Sequence, residues 1–307
     1  MEKLAAPAIT ALENDEISFY PASKKEQVIT YLKNVKDWNI SRQIAWGIPI
    51  PAFQNVNDPD DWIFNTSVNE ELIEVNNQHY RRDPDVFDTW FSSGHWPFVT
   101  LGYPDSKDFD DFYPNSVMET GQDILYQWVA RMICIGLYIT DTTPFKDVYL
   151  HGMVRAEDGR KMSKSLGNVI DPTAVLSEYG ADALRMGMIA GRSAGYSAAY
   201  DPSKVIAGRN FCNKLWNIAR FAETALGDDF SREKPVPKSL ADHWIIDRAT
   251  TTTTHVSTLL DGYRFSEAYD TVYHFIWDDL ADWYIEASKA EHNKQILAYV
   301  LETALKL

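Results

Sequence analysis

The chain has 307 residues and a formal net charge of -15, which argues against broad, sequence-independent adhesion to nucleic acid and leaves room only for a local basic track. A hydrophobic fraction of 45%, with 10 Trp, 16 Tyr and 14 Phe, excludes a mainly disordered chain and suits about two folded domains. The two cysteines, Cys134 and Cys212, have no C-x-x-C partner, so they form neither a disulfide framework nor a thiolate zinc site and are expected as buried free thiols.

Met1 to Leu12 lacks the pattern of a secretory signal, and no stretch reaches the roughly 18 apolar residues of a membrane span, so a cytoplasmic protein is expected. Residues 23–36 predict an amphipathic helix with Val28, Tyr31, Leu32 and Val35 on one face, ended by Asp37 and Trp38. From Asn55 to Arg82 the text is polar and reads as a surface insertion of short strands. A helix is predicted from Thr120 to Tyr138, with Thr120 as its N-cap and Ile124, Trp128, Met132 and Ile135 on one stripe. Residues 145–154, FKDVYLHGMV, predict a buried strand, and helix followed by strand at this length is the unit of a parallel α/β sheet. Beyond residue 200 the pattern is helical: 204–226, 241–260, and 265–290 with Val272, Ile276, Leu280 and Trp283 on one stripe. The threonine run Thr250 to Thr254 is odd for a helix, since β-branched side chains lose rotamer freedom there, and reads as structural. The fold class is therefore α/β, then all-α.

GRKMSKSLGN, residues 159–168, concentrates chemistry in one loop. Lys161 and Lys164 can close on a single multiply charged anion such as a phosphate chain, each being a compact charge on a flexible stem. The P-loop pattern G-x-x-x-x-G-K-[ST] does not fit. Asp158-Gly159 is a favourable turn pair, and Gly167-Asn168 offers unusual backbone angles on the far side.

The order ETGQDILYQW, HGMVR, KMSKS is similar to that of the class I aminoacyl-tRNA synthetases. DWNISRQIAWGIPIPAF (37–53), DPDVFDTWFSSGHWPFVTLGYP (83–104), GRNFCNKLWNIARF (208–221) and FIWDDLADWYIEASK (275–289) resemble the valyl members more closely than the isoleucyl and leucyl ones. The resemblance implies a Rossmann-like catalytic domain that activates valine with ATP to valyl-adenylate, releases pyrophosphate and transfers valine to tRNA(Val). By it, Lys161 and Lys164 stabilise the departing pyrophosphate, helped by hydrogen bonds from Ser163 and Ser165. Main-chain groups of Gly152, Met153 and Val154 read the adenine beside His151, Gly121 admits the ribose, Asp123 and Lys164 also belong to the ATP site, and Asp123, Ile124, Trp128 and Trp90 form the valine site. Mg2+ is expected with ATP, and no protein-bound metal. Such a pocket rejects bulkier side chains but not threonine, an isostere, which is why the family carries an editing domain. Simpler readings exist beside these: His151 as an ordinary strand-end histidine, and Asp123 as a carboxylate favoured by a helix N-terminus.

The family's other signature, of H-x-G-H type, does not occur in these residues. The resemblance therefore implies a piece of a synthetase: residues 1–170 as the C-terminal half of the catalytic domain with a polar insertion near 55–82, 171–204 as a junction contacting the tRNA stem, and 205–307 as a truncated anticodon-binding helical bundle. Alone, the chain is expected to be a monomer with little or no aminoacylation activity. Arg209, Lys214, Arg220 and Arg248 are candidate phosphate contacts, which position RNA without reading bases. Two alternatives stand beside this reading: a noncatalytic synthetase-like module that binds tRNA or a protein, and an isoleucyl or leucyl synthetase fragment.

Overall fold

The computed structural model describes residues 1–307 apart from the side chain of Glu291, and the chain divides into two compact units, Met1–Leu150 and His151–Leu307. The first unit opens with α1 (Glu2–Glu13), a helix missed by the sequence pattern because its buried face is mostly alanine: Ala5, Ala8, Ala11 and Leu12. β1 (Ser18–Tyr20) and α2 (Ser23–Lys33) follow. α2 buries Val28, Ile29 and Leu32 and stops short of the predicted end, where Asn34 Nδ2 donates to the Thr30 carbonyl at 2.8 Å.

After β2 (Ser41–Arg42), the polar stretch folds into β3 (Ala52–Asn55), β4 (Trp62–Phe64), β5 (Leu72–Val75) and β6 (Gln78–Arg82), an antiparallel sheet in the order β4-β3-β6-β5. Asn76 and Asn77 both take positive φ between β5 and β6, the turn whose twist matches the flanking strands. The sheet buries Phe53 and Tyr80, and the Tyr80 hydroxyl donates to Asp61 at 2.7 Å. β7 (Val86–Phe87) pairs with β2, and three short helices follow: α3 (Thr89–Ser93), α4 (Trp96–Val99) and α5 (Lys107–Phe112).

β8 (Asn115–Gly121), α6 (Ala130–Thr140) and β9 (Phe145–His151) complete the unit. β1, β9 and β8 form one sheet in the order β1-β9-β8, with β1 parallel to β9 and Phe19 opposite Val148. The core joins Leu12, Phe19, Val28 and Leu32 to Leu125, Val129, Met132, Phe145, Val148 and Leu150. One expectation fails here. Thr120 is not an N-cap but a buried residue near the end of β8, and the chain passes through a 3-10 turn (Gln122–Ile124) and a wider π-type turn (Leu125–Val129) before α6. The wide turn rotates the stripe. Leu125, Val129, Met132 and Ile133 face the core, while Ile124 and Trp128 stay half-buried.

In the second unit β10 (Val154–Arg155) pairs in parallel with β11 (Ala198–Ala199), and α7 (Pro172–Tyr179) and α8 (Ala181–Ile189) lie between them in sequence. Gly152 lets the two segments meet: a Cβ there would sit 1.8 Å from the Tyr196 carbonyl oxygen. α9 (Pro202–Leu226) and α10 (Leu240–Asp261) match the predicted helices. Along α10, Thr250, Thr253, Thr254 and Thr258 each donate to the carbonyl four residues back, which is how a helix absorbs this threonine run. α11 (Phe265–His274) continues through a π-type segment, Phe275–Tyr284, into α12 (Ile285–Glu291), and α13 (Lys294–Lys306) closes the bundle. The predicted stripe holds at Ile276 and Leu280, and the π-type segment displaces only its last position by one residue. Trp283 is 70% exposed, and Tyr284 takes its place in the core with Phe275, Ile276 and Leu280.

Cys134 is buried in α6, where loss of hydration pushes its thiol up to about 12, but Cys212 is only half-buried on α9. No helix among the described residues is long and apolar enough to cross a membrane.

Asp242 is the polar centre of the bundle. It is buried and accepts from the Lys238 N–H (2.9 Å), the Tyr284 hydroxyl (2.9 Å) and Asn293 Nδ2 (2.6 Å). Burial alone pushes its carboxyl up, and these hydrogen bonds outweigh it and hold the group below the usual carboxylate range. Asp242→Ala is expected to cost about 2 to 4 kcal/mol in urea unfolding, because three donors lose their acceptor inside the fold. A depressed folded pKa adds stability above the unfolded value that is lost as pH falls through the folded one. The melting temperature should therefore drop below about pH 4, and Asp242→Asn should flatten that part of the curve. Gly152→Ala is expected to lower the urea midpoint by an amount equivalent to about 1 to 3 kcal/mol, since backbone rather than a flexible side chain must give way.

Candidate active site

The residues singled out by sequence fall in both units. In the first, Trp90 is half-buried on α3 and Trp128 on the π-type turn, and the Trp128 indole N–H donates to the Ser93 carbonyl at 3.1 Å. That bond ties the turn carrying Trp128 to the end of the helix carrying Trp90. The start of α3 is held by Asp88, a buried carboxylate missed by the sequence reading. Its Oδ1 accepts from the Trp90 N–H at 2.9 Å, while Oδ2 accepts from Trp38 Nε1 at 2.9 Å and pairs with Arg42. The Arg131 guanidinium covers the Trp38 ring at 3.5 Å, so the support extends into α6. The signal available in sequence was the Asp before a short helix, an N-cap pattern.

Gly121 ends β8 in extended conformation and is buried. Asp123 follows in the three-residue 3-10 turn rather than at the start of a helix, so the macrodipole has no first turn of α-helix to act through. Its side chain is exposed and has no hydrogen-bond partner among the described residues, which leaves a carboxylate free to meet a ligand. Ile124 stands next to it, half-buried.

In the second unit, His151 ends β9 and is exposed. The Met153 N–H donates to Ser197 Oγ at 2.9 Å, and Val154 is registered with Ala198, so residues 196–199 hold the strand end. The loop begins with a tight turn in which the Ala156 N–H donates to the Arg160 carbonyl at 2.9 Å around Gly159 at φ +81. The Arg160 guanidinium pairs with Asp158 at 2.6 Å and holds its carboxyl below the usual range. Lys161 and Lys164 are exposed and have no acidic partner among the described residues. Two ammonium groups are thus presented in a chain that is otherwise strongly acidic. Ser163 and Ser165 meet hydroxyl to hydroxyl at 2.7 Å, and Gly167 takes φ +65.

The four candidate phosphate contacts divide. Lys214 is paired with Asp282 at 2.9 Å and lies over the Trp277 ring, and Arg248 is paired with Asp279 at 2.7 Å. Arg209 and Arg220 are exposed with no acidic partner among the described residues, Arg209 lying over the Tyr179 ring. Among the described residues no group of three His, Cys, Asp or Glu is placed to hold a metal ion.

Comparison with known proteins finds the same pattern over the whole chain. A family model described as tRNA synthetases class I (I, L, M and V) matches residues 1–199, and one described as the anticodon-binding domain of tRNA ligase matches residues 242–307. Valine--tRNA ligase of Staphylococcus aureus strain JH9 is 44% identical over 323 residues, covering 100% of this chain and 36% of the relative, and that of the bovine strain RF122 is 45% identical with the same coverage. The chain spans about a third of the length of these relatives. In fold it is similar to a leucyl enzyme of Agrobacterium radiobacter K84 in a ternary complex with tRNA and LeuAMS (TM-score 0.74, 20% identity, 92% of this chain and 42% of that one). It is also similar to Mycobacterium tuberculosis methionyl-tRNA synthetase in complex with methionyl-adenylate (TM-score 0.73, 19% identity, 99% and 58%). The chain belongs to the class I tRNA synthetases, in the group that serves isoleucine, leucine, methionine and valine.

Proposed function

We propose that this chain is part of a cytoplasmic valine–tRNA ligase, contributing the amino-acid pocket, the lysine loop and a tRNA-binding bundle. The observation that carries the reading is the loop 159–168, where two lysines without acidic partners are offered between two glycines of positive φ. The choice of valine rests on 44% identity over the whole chain to valine--tRNA ligases. The domain division proposed is catalytic for residues 1–170, junction for 171–204 and anticodon-binding for 205–307.

In the activation step the valine carboxylate attacks the α-phosphorus of ATP, the bond to the β-phosphate oxygen breaks, and pyrophosphate leaves. Positioning and charge neutralisation dominate such a step. Lys161 and Lys164 take up the charge that develops on the leaving phosphates, and Ser163 and Ser165 donate hydrogen bonds to them. Mg2+ enters with ATP as the counter-ion of its phosphates. The strand end 151–154 faces the adenine, Gly121 the ribose, and Asp123 binds the substrate's ammonium group. Trp90, Ile124 and Trp128 enclose the valine side chain, with the Trp128 to Ser93 hydrogen bond holding the pocket's width.

In the whole protein that carries this sequence, Lys164→Ala is expected to slow valine-dependent exchange of pyrophosphate into ATP by about a hundredfold or more. Exchange supported by isoleucine or leucine but not valine would move the chain to a sister enzyme, and unchanged exchange in the variant would sink the role given to the loop. The isolated 307-residue chain should show no exchange. For RNA, Arg209→Ala and Arg220→Ala should each weaken tRNA binding and reduce the salt slope by about one, whereas Lys214→Ala and Arg248→Ala, already paired with carboxylates, should change it less. Filter binding across a salt series separates the two pairs.

A further inference from the structure

The shape of the lysine loop depends on one side chain outside its charged core. Asn168 Oδ1 accepts the Ser163 N–H at 2.9 Å, and Asn168 Nδ2 donates to the Lys161 carbonyl at 3.2 Å. Only Met162 separates the two anchored points. On the other side Lys164 opens a 3-10 turn, Lys164–Leu166, closed by the Gly167 N–H donating to the Lys164 carbonyl at 3.2 Å. The backbone under both lysines is therefore fixed, one end by the Asn168 amide and the other by the turn that leads into it.

We infer that Asn168 is a positioning residue for the lysine pair, setting the spacing of Lys161 and Lys164 before any ligand arrives. The inference rests on the proposed role of these lysines in pyrophosphate departure. A flexible loop with two long ammonium side chains loses conformational freedom when it closes on an anion, and a backbone ordered in advance reduces that cost. Little else orders this loop. The space around Gly159 and Gly167 is empty to 4 Å where a Cβ would be, and among the described residues the only other side-chain hydrogen bond within 161–168 is that between the Ser163 and Ser165 hydroxyls. The amide suits the task chemically. It supplies one donor and one acceptor, as the two backbone groups require, and carries no charge, so it does not draw either ammonium away from a phosphate. An aspartate would offer no donor to the Lys161 carbonyl and would compete for the lysines.

The test compares Asn168→Ala and Lys164→Ala with the unmodified whole protein in valine-dependent pyrophosphate exchange, separating kcat from the KM for pyrophosphate. Asn168→Ala is expected to lower exchange by about tenfold to a hundredfold, chiefly in kcat, with an unchanged melting temperature and faster hydrogen exchange at the Ser163 amide. Asn168→Gln, which keeps the amide but moves it by one methylene, should fail to restore the rate. Exchange within about twofold of the unmodified protein in Asn168→Ala, while Lys164→Ala abolishes it, would overturn the inference and leave the loop's role intact. A rate that falls only in step with a lowered melting temperature would overturn it as well. Full exchange in Lys164→Ala would remove the loop's proposed role and this inference with it.

Discussion

A strand buried in a parallel sheet commits its backbone hydrogen bonds to its neighbours, so its main chain becomes available for other work only where the strand stops. β9 is such a strand, with Phe145, Val148 and Leu150 buried and β1 and β8 on either side. It stops at His151. From the next residue onward the chain is engaged by residues 196–199: the Tyr196 carbonyl fills the space a Gly152 side chain would need, Ser197 takes the Met153 N–H, and Ala198 is registered with Val154. The strand end proposed to meet a nucleotide base is therefore held by a segment 44 residues further along, and the lysine loop hangs from it.

The excess of acidic residues is used in two opposite ways. Asp88 and Asp242 are buried and fully engaged as acceptors, Asp88 at the start of the helix carrying Trp90 and Asp242 at the centre of the bundle. A buried carboxylate is tolerable only with such a set of donors, and in return it fixes the elements that supply them. Asp123 is the reverse case, exposed and without a partner among the described residues. Lys161 and Lys164 share that condition on the cationic side. A side chain held ready for a ligand differs from a structural one less in type than in whether the fold has already satisfied it.

Both departures from helical periodicity lie at π-type turns, Leu125–Val129 and Phe275–Tyr284. Each adds backbone per turn and so rotates the apolar stripe relative to a regular 3.6-residue repeat. In the first unit this leaves Ile124 and Trp128 half-buried rather than in the core. In the bundle it brings Tyr284 inside, where its hydroxyl meets Asp242 at 2.9 Å, and leaves Trp283 outside.

What could be read without coordinates was local in origin. The lysine loop and its glycine turns, the helices of the second unit and the burial of β9 follow from side-chain chemistry, backbone freedom and a regular period within a few neighbouring residues. Gly159 and Gly167 do take positive φ, and α9 and α10 span nearly the predicted ranges. The alanine face of α1, the strand position of Thr120 and the exposure of Trp283 lay beyond such reading, because each depends on which element packs opposite. The same holds for the polar contacts. Trp38 meets Asp88 across 50 residues and Met153 meets Ser197 across 44, and no local period encodes a partner so far away. Even Asn168, only five residues from Ser163, reads in sequence as one more turn residue. Residue type supplies its amide donor and acceptor, but the amide becomes a clamp only when the folded loop brings the Ser163 N–H and the Lys161 carbonyl within reach of it.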